Sequence, residues 1–122
     1  MYHPHPPKFP PYRLSPPVLK TKNRSGYPGV NGPEEGPWYV RITISSHKVH
    51  LVTTETAHEG AYAMNYAYRV LDPRLRPPHS IRTEHVPGPE RRAQVESQVR
   101  RKLERLGYSL TLPESAIVES GI

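Results

Sequence analysis

The chain has 122 residues, of which 16 are proline and 34% are hydrophobic, so it has room for one small domain with its core in a restricted stretch. It has no cysteine, which excludes disulfides and thiolate metal sites and leaves packing to hold the fold. The formal net charge of +6, from 17 Lys+Arg and 11 Asp+Glu, points towards a polyanionic partner without naming one.

No apolar run approaches the roughly 20 residues that span a bilayer. Prolines stand where a signal peptide needs its apolar segment, so the expectation is an intracellular protein with no membrane partner. The charge is unevenly placed: residues 1–24 hold five bases and no acid, residues 25–73 hold three bases and five acids, and the remainder holds nine bases and six acids. The flanks are basic and the centre is slightly acidic, so phosphate attraction is expected mostly from the flanks.

In chain order, residues 1–24 read as an extended, disordered Pro-rich arm. The prolines of MYHPHPPKFPPYRLSPP fix φ and remove amide donors, which argues against both helix and sheet ladder over residues 1–17. His3 and His5 flank a proline without a supporting carboxylate or thiol cluster, which reads as solvated imidazole rather than a metal site. VLKTKNR, with Lys20, Lys22 and Arg24, is either a solvated linker or an arm that contacts phosphate.

Residues 25–73 carry the continuous apolar set. Tyr27–Val30 is expected to be a short first strand, with Gly29 where φ is unusual or a second backbone comes close. NGPEEGP reads as a turn. In WYVRITI, Trp38, Val40, Ile42 and Ile44 alternate with Tyr39, Arg41 and Thr43, one face apolar and the other polar. Ser45 and Ser46 turn the chain, and HKVHLVT returns with Val49 and Leu51 on the apolar side and Lys48, His50 and Val52 on the other. Thr56 is placed to cap a helix, with Glu59 at capping-box spacing. Ala63, Ala67 and Leu71 form its stripe, Gly60 permits close approach to the sheet at about 1 kcal/mol relative to Ala, and Pro73 stops it.

Residues 74–88 are a Pro-rich linker expected to wrap the surface or float. PERRAQVESQVRRKLERLG, residues 89–107, reads as a second helix opened by Pro89 and closed by Gly107. Its stripe of Val95, Val99, Leu103 and Leu106 is narrow and the rest is basic. Three uses stay open: covering its own domain, self-association through residues 89–107, or a second nucleic-acid contact. Residues 108–122 form a tail of weak strand character.

The outward residues of the hairpin can donate to base edges, contact phosphate or pack on sugars, and a ribbon of two or three strands fits the major groove. The plain alternative is a solvated face in which Arg41 lies over Tyr39. Ser25, Tyr27, Gly29 and Val30, then Gly36, Trp38, Val40 and Ile42, then Lys48, Leu51 and Thr53, then Thr56, Glu59, Ala61, Ala63, Asn65 and Ala67 together resemble the plant-type Apetala-two/ethylene-response-factor DNA-binding domain. The resemblance covers about fifty residues in order and spacing. It implies a three-stranded antiparallel sheet packed on one helix, an α+β fold, that binds double-stranded DNA through the sheet in the major groove. It implies base and phosphate contacts at Tyr39, Arg41, Thr43, Lys48 and His50. The sequence departs from the family pattern at Pro28, where the family has an arginine that contacts DNA, and at Val52, Thr54 and Met64-Asn65.

An enzyme reading has little to stand on. His79 and His85 lie in the linker with no asparagine after Asn65, which is not the arrangement of a His-Asn-His nuclease. Glu34 and Glu35 are neighbours in a turn, and no nucleotide loop or nucleophile elbow is present. The expectation is a non-enzymatic DNA-binding protein of the nucleus or nucleoid, without cofactor. The alternative is an assembly protein that uses the fold and tails on RNA or within a ribonucleoprotein.

Overall fold

In the computed structural model the described residues are 9–16, 25–33 and 35–111. The elements are β1 (Leu14–Ser15), β2 (Val30–Asn31), β3 (Trp38–Ile44), β4 (His47–Thr54), α1 (Ala57–Leu71), a 3-10 turn (Thr83–His85) and α2 (Pro89–Arg105). The fold is α+β, an antiparallel sheet with both helices on one side.

Strand β3 is central. One edge pairs with β4 along its length, and the other is shared end to end by β2, which pairs with Val40 and Tyr39, and β1, which pairs with Ile44 and Thr43. The sheet is therefore three strands wide, as expected, with a fourth short strand completing one edge. That fourth strand corrects the expectation that residues 1–17 form no ladder. Leu14 and Ser15 lie between the prolines, and the Tyr68 hydroxyl donates to the Ser15 carbonyl at 2.9 Å, fixing the strand from the helix side. The first strand of the central region is also shorter than Tyr27–Val30: the chain turns at Tyr27 and the strand itself is Val30–Asn31, with the Gly29 carbonyl accepting from the Arg41 N–H at 3.0 Å just before it.

The hairpin turns on Ser45 and Ser46, with φ of 50° and 68°, the left-handed pair that matches strand twist in a two-residue connection. Register corrects one sequence expectation in β4. Arg41 pairs with His50 but Val40 pairs with Val52, so Leu51 is an extra residue in a β-bulge. The bulge shifts the inside-outside phase, Leu51 and Val52 both point inward at 2% and 7% exposure, and the outward residue after His50 is Thr53 rather than Val52.

Helix α1 begins as its sequence predicts. The Glu59 N–H donates to Thr56 Oγ1 at 3.1 Å, and Glu59 Oε1 accepts from the Thr56 N–H at 3.3 Å. Gly60 lies on the sheet with no room for a side chain: an added Cβ would sit 2.8 Å from Val30 Cγ1 and 3.2 Å from Val40 Cγ2. Gly29 meets both halves of its expectation, with φ +88° and an added Cβ that would strike Met64 and lie 3.1 Å from the Arg41 carbonyl.

The core reaches past residues 25–73. Helix α2 runs beside α1 and packs on α1 and β4, burying Val95, Val99 and Leu103 completely. Each such burial stabilises by about 1.5–3 kcal/mol. The narrow stripe is thus used to cover the chain's own domain. Glu59 ties the two helices at their starts, accepting from Arg91 Nε at 2.7 Å. At the far end the Tyr108 N–H donates to Leu103 O at 3.0 Å and the Gly107 N–H to Glu104 O at 2.9 Å, a Schellman closure with Gly107 left-handed. This turns Tyr108 onto Tyr12, edge to face at 5.4 Å. The tail of weak strand character is therefore docked through residue 111, where the Thr111 N–H donates to Val70 O; residues 112–122 lie outside the described residues.

The linker is anchored rather than floating. The Asn65 amide brackets the His79 backbone, donating to its carbonyl at 2.9 Å and accepting from its N–H at 3.0 Å. The buried His79 ring lies against Met64 and Tyr27. No helix among the described residues is long and apolar enough to cross a membrane.

Candidate nucleic-acid interface

Antiparallel partners point to the same side of a sheet, so the register defines the outer face directly. Tyr39 stands opposite Thr53 and Asn31, Arg41 opposite His50, and Thr43 opposite Lys48 and Ser15. All five hairpin residues singled out in the sequence, Tyr39, Arg41, Thr43, Lys48 and His50, are therefore on one face. Lys20, Lys22 and Arg24 lie outside the described residues. Thr53, Asn31 and Ser15 are additions. Alternation alone misses Thr53 because the bulge cannot be told from the apolar pair Leu51-Val52, and it misses Ser15 because its strand is only two residues long.

No described element covers this face. Tyr39 is 42% exposed, and Arg41, Lys48, His50 and Thr53 are also exposed. The eight outward residues include no acid. Glu35 is in the turn before β3, Glu55 follows β4, Glu59 is on α1 and Asp72 caps its end. The four described acids of the central region therefore sit off the outer face, where the charged side chains are Arg41 and Lys48. Neither forms an ion pair among the described residues.

His50 is the centre of the face. Its ring is 6.1 Å from that of Tyr39 and inclined at 51°, and its Nε2 is 3.4 Å from Thr53 Oγ1. Its proton affinity is lowered first by partial burial, then by Lys102 of α2 and by Arg41. The imidazole is thus held neutral below the usual histidine range, able both to donate and to accept a hydrogen bond near pH 7.

The helix side offers other features. A groove of about 250 Å³ is lined by Tyr62, Tyr66, Arg69, Leu75 and Pro77 among others, with Arg69 lying over the Tyr66 ring at 5.4 Å. Its amide, Asn65, is already committed to His79. His58 stacks on His85 at 4.0 Å with planes 10° apart, and its Nδ1 is 2.8 Å from the Tyr27 hydroxyl. Burial, then His85, lowers its proton affinity. No group of three or more His, Cys, Asp or Glu among the described residues is arranged to hold a metal ion.

Comparison with protein-family models, with curated proteins and with solved structures gave no match.

Proposed function

We propose that the protein binds double-stranded DNA, laying the outer face of its sheet in the major groove, as a small transcription regulator or the targeting module of a mobile element. The observation that carries this reading is an acid-free sheet face that no described element covers, with Arg41 and Lys48 forming no ion pair among the described residues and Tyr39, Thr43 and His50 between them. Dimensions agree: three strands about 4.8 Å apart measure roughly 10 Å across, and the major groove is about 12 Å wide. Arg41 has the geometry for bidentate contact with guanine, Lys48 for phosphate, and neutral His50 and Thr53 for base edges. The resemblance to the Apetala-two/ethylene-response-factor domain supports the same face and the same docking. The basic stretch with Lys20, Lys22 and Arg24 supplies phosphate contacts, and the site of action is the nucleus or nucleoid.

The test is fluorescence anisotropy with duplex DNA across a salt series. The expected result is an affinity whose logarithm falls linearly with the logarithm of salt concentration, with a loss of about 1–3 kcal/mol for Arg41→Ala. Absence of binding at low salt, or an affinity that survives Arg41→Ala combined with Lys48→Ala, overturns the reading.

A second reading, RNA binding within a ribonucleoprotein, is favoured by one observation. The exposed Tyr39 ring beside His50 is a platform on which an unpaired base stacks, worth about 1–3 kcal/mol per base. Competition decides between them: single-stranded RNA that displaces duplex DNA, with Tyr39→Ala as the most damaging substitution, selects the RNA reading.

A further inference from the structure

Helix α2 does more than close the core, because its two flanks differ in charge. Taking the buried Val99 as the zero of the helical wheel, Lys102 lies about 60° to one side and Arg105 about 120° on that same side. Arg91, Gln94 and Gln98 share this flank. Glu96 and Glu104 fall on the opposite flank, about 60° and 140° away with Arg100 between them at about 100°, so that flank carries no excess of positive charge, and there Glu96 accepts a hydrogen bond from Tyr62 of α1. Beyond the first turn, where Arg91 reaches Glu59 of α1, the flank with Lys102 and Arg105 is the one turned from α1 towards β4, on which α2 also packs.

Arg91 is neutralised by Glu59. Lys102 and Arg105 form no ion pair among the described residues; Lys102 is half-buried and Arg105 exposed. Among the described residues β4 is the sheet's outer strand on this side, pairing only with β3, so its other edge is the boundary between helix flank and sheet face. Lys102 acts across that boundary, since it contributes with Arg41 to lowering the proton affinity of His50.

We infer that Lys102 and Arg105 form a second anion-binding strip, continuous with the outer sheet face across the β4 edge, that grips the phosphate backbone bordering the groove the sheet occupies. The inference rests on the DNA-binding reading and assigns α2 a part in it. Base contacts come from the sheet, and Lys102 and Arg105 fix the register of the duplex against the β4 side without reading sequence. His50 then lies between two cationic groups that both face phosphate.

The experiment uses the full chain and a short fluorescein-labelled duplex of mixed sequence. It compares wild type, Arg41→Ala, the pair Lys102→Gln/Arg105→Gln, and the charge-matched pair Arg69→Gln/Arg76→Gln, whose residues lie at the far end of α1 and in the linker. Thermal melts check that each variant folds. The expected result is that Lys102→Gln/Arg105→Gln lowers the magnitude of the salt slope by nearly one for each phosphate it no longer neutralises and weakens binding about tenfold or more at low salt, while Arg69→Gln/Arg76→Gln keeps the wild-type slope. An unchanged slope in Lys102→Gln/Arg105→Gln, with affinity reduced in Arg41→Ala, overturns the strip and leaves the sheet reading standing. Equal losses in both double variants also overturn it, because net charge then suffices. Wild type that binds no duplex at low salt overturns both.

Discussion

The two faces of the sheet are built from the same strands, one residue out of phase, and they do opposite things. On the inner face Val30, Val40, Ile42, Ile44 and Val49 are at most 4% exposed, and α1 and α2 close over them. On the outer face nothing described packs, and the side chains are basic, hydroxyl, amide or aromatic. Stability is therefore concentrated on one side, and the proposed recognition is free to vary on the other. A large change in fold stability is expected only from the covered side, and a large change in the proposed binding from the open one and the basic flank of α2 beside it.

The strongest test of this division is Leu103→Ala. Leu103 is fully buried on the inner face of α2, and its truncation should cost about 3 kcal/mol in a chemical denaturation experiment while leaving the proposed Arg41-dependent DNA binding intact below the transition. Next is Glu59→Ala, which removes the reciprocal cap of α1 and the acceptor of Arg91 together. The expected loss is about 2 kcal/mol by the same measurement, more than a cap alone gives because α2 loosens with it. A smaller change of opposite sign is expected at the hinge of the two faces. Ser46 has φ of 68°, so Ser46→Gly should raise stability by about 1 kcal/mol in thermal unfolding. The smallest effect belongs to the open face: Tyr39→Ala with Arg41→Ala should shift stability by less than about 0.5 kcal/mol. A loss near that of Leu103→Ala would show that the outer side chains hold the sheet together and would break the comparison.

Much of this architecture is legible in the residues. Alternation in Trp38–Ile44, the Thr56/Glu59 cap, the close approach at Gly29 and Gly60, and the Pro89 and Gly107 boundaries are local signals whose physics is complete within a few positions. The rest is non-local. Leu14-Ser15 becomes a strand only because Tyr68 and the β3 edge await it. Leu51-Val52 reads as ordinary alternation until cross-strand register reveals the bulge. The narrow stripe of α2 suits docking and pairing equally, and its choice is made by the apolar space beside α1 and by Glu59 on Arg91. The outer face is legible as five residues; that Lys102 borders it depends on where α2 docks, which no local pattern encodes.

One side chain joins the flanks of the described fold. The Tyr12 hydroxyl accepts from the Ser109 N–H at 2.6 Å and donates to the Ser109 carbonyl at 3.3 Å, across 97 positions of sequence. A single phenol thereby satisfies both backbone groups of a residue near the other end of the fold, as a strand neighbour would. Exchange of the Ser109 amide with solvent deuterium therefore requires the Tyr12 flank to lift, so one amide clock at residue 109 reports how often the N-terminal flank leaves the domain.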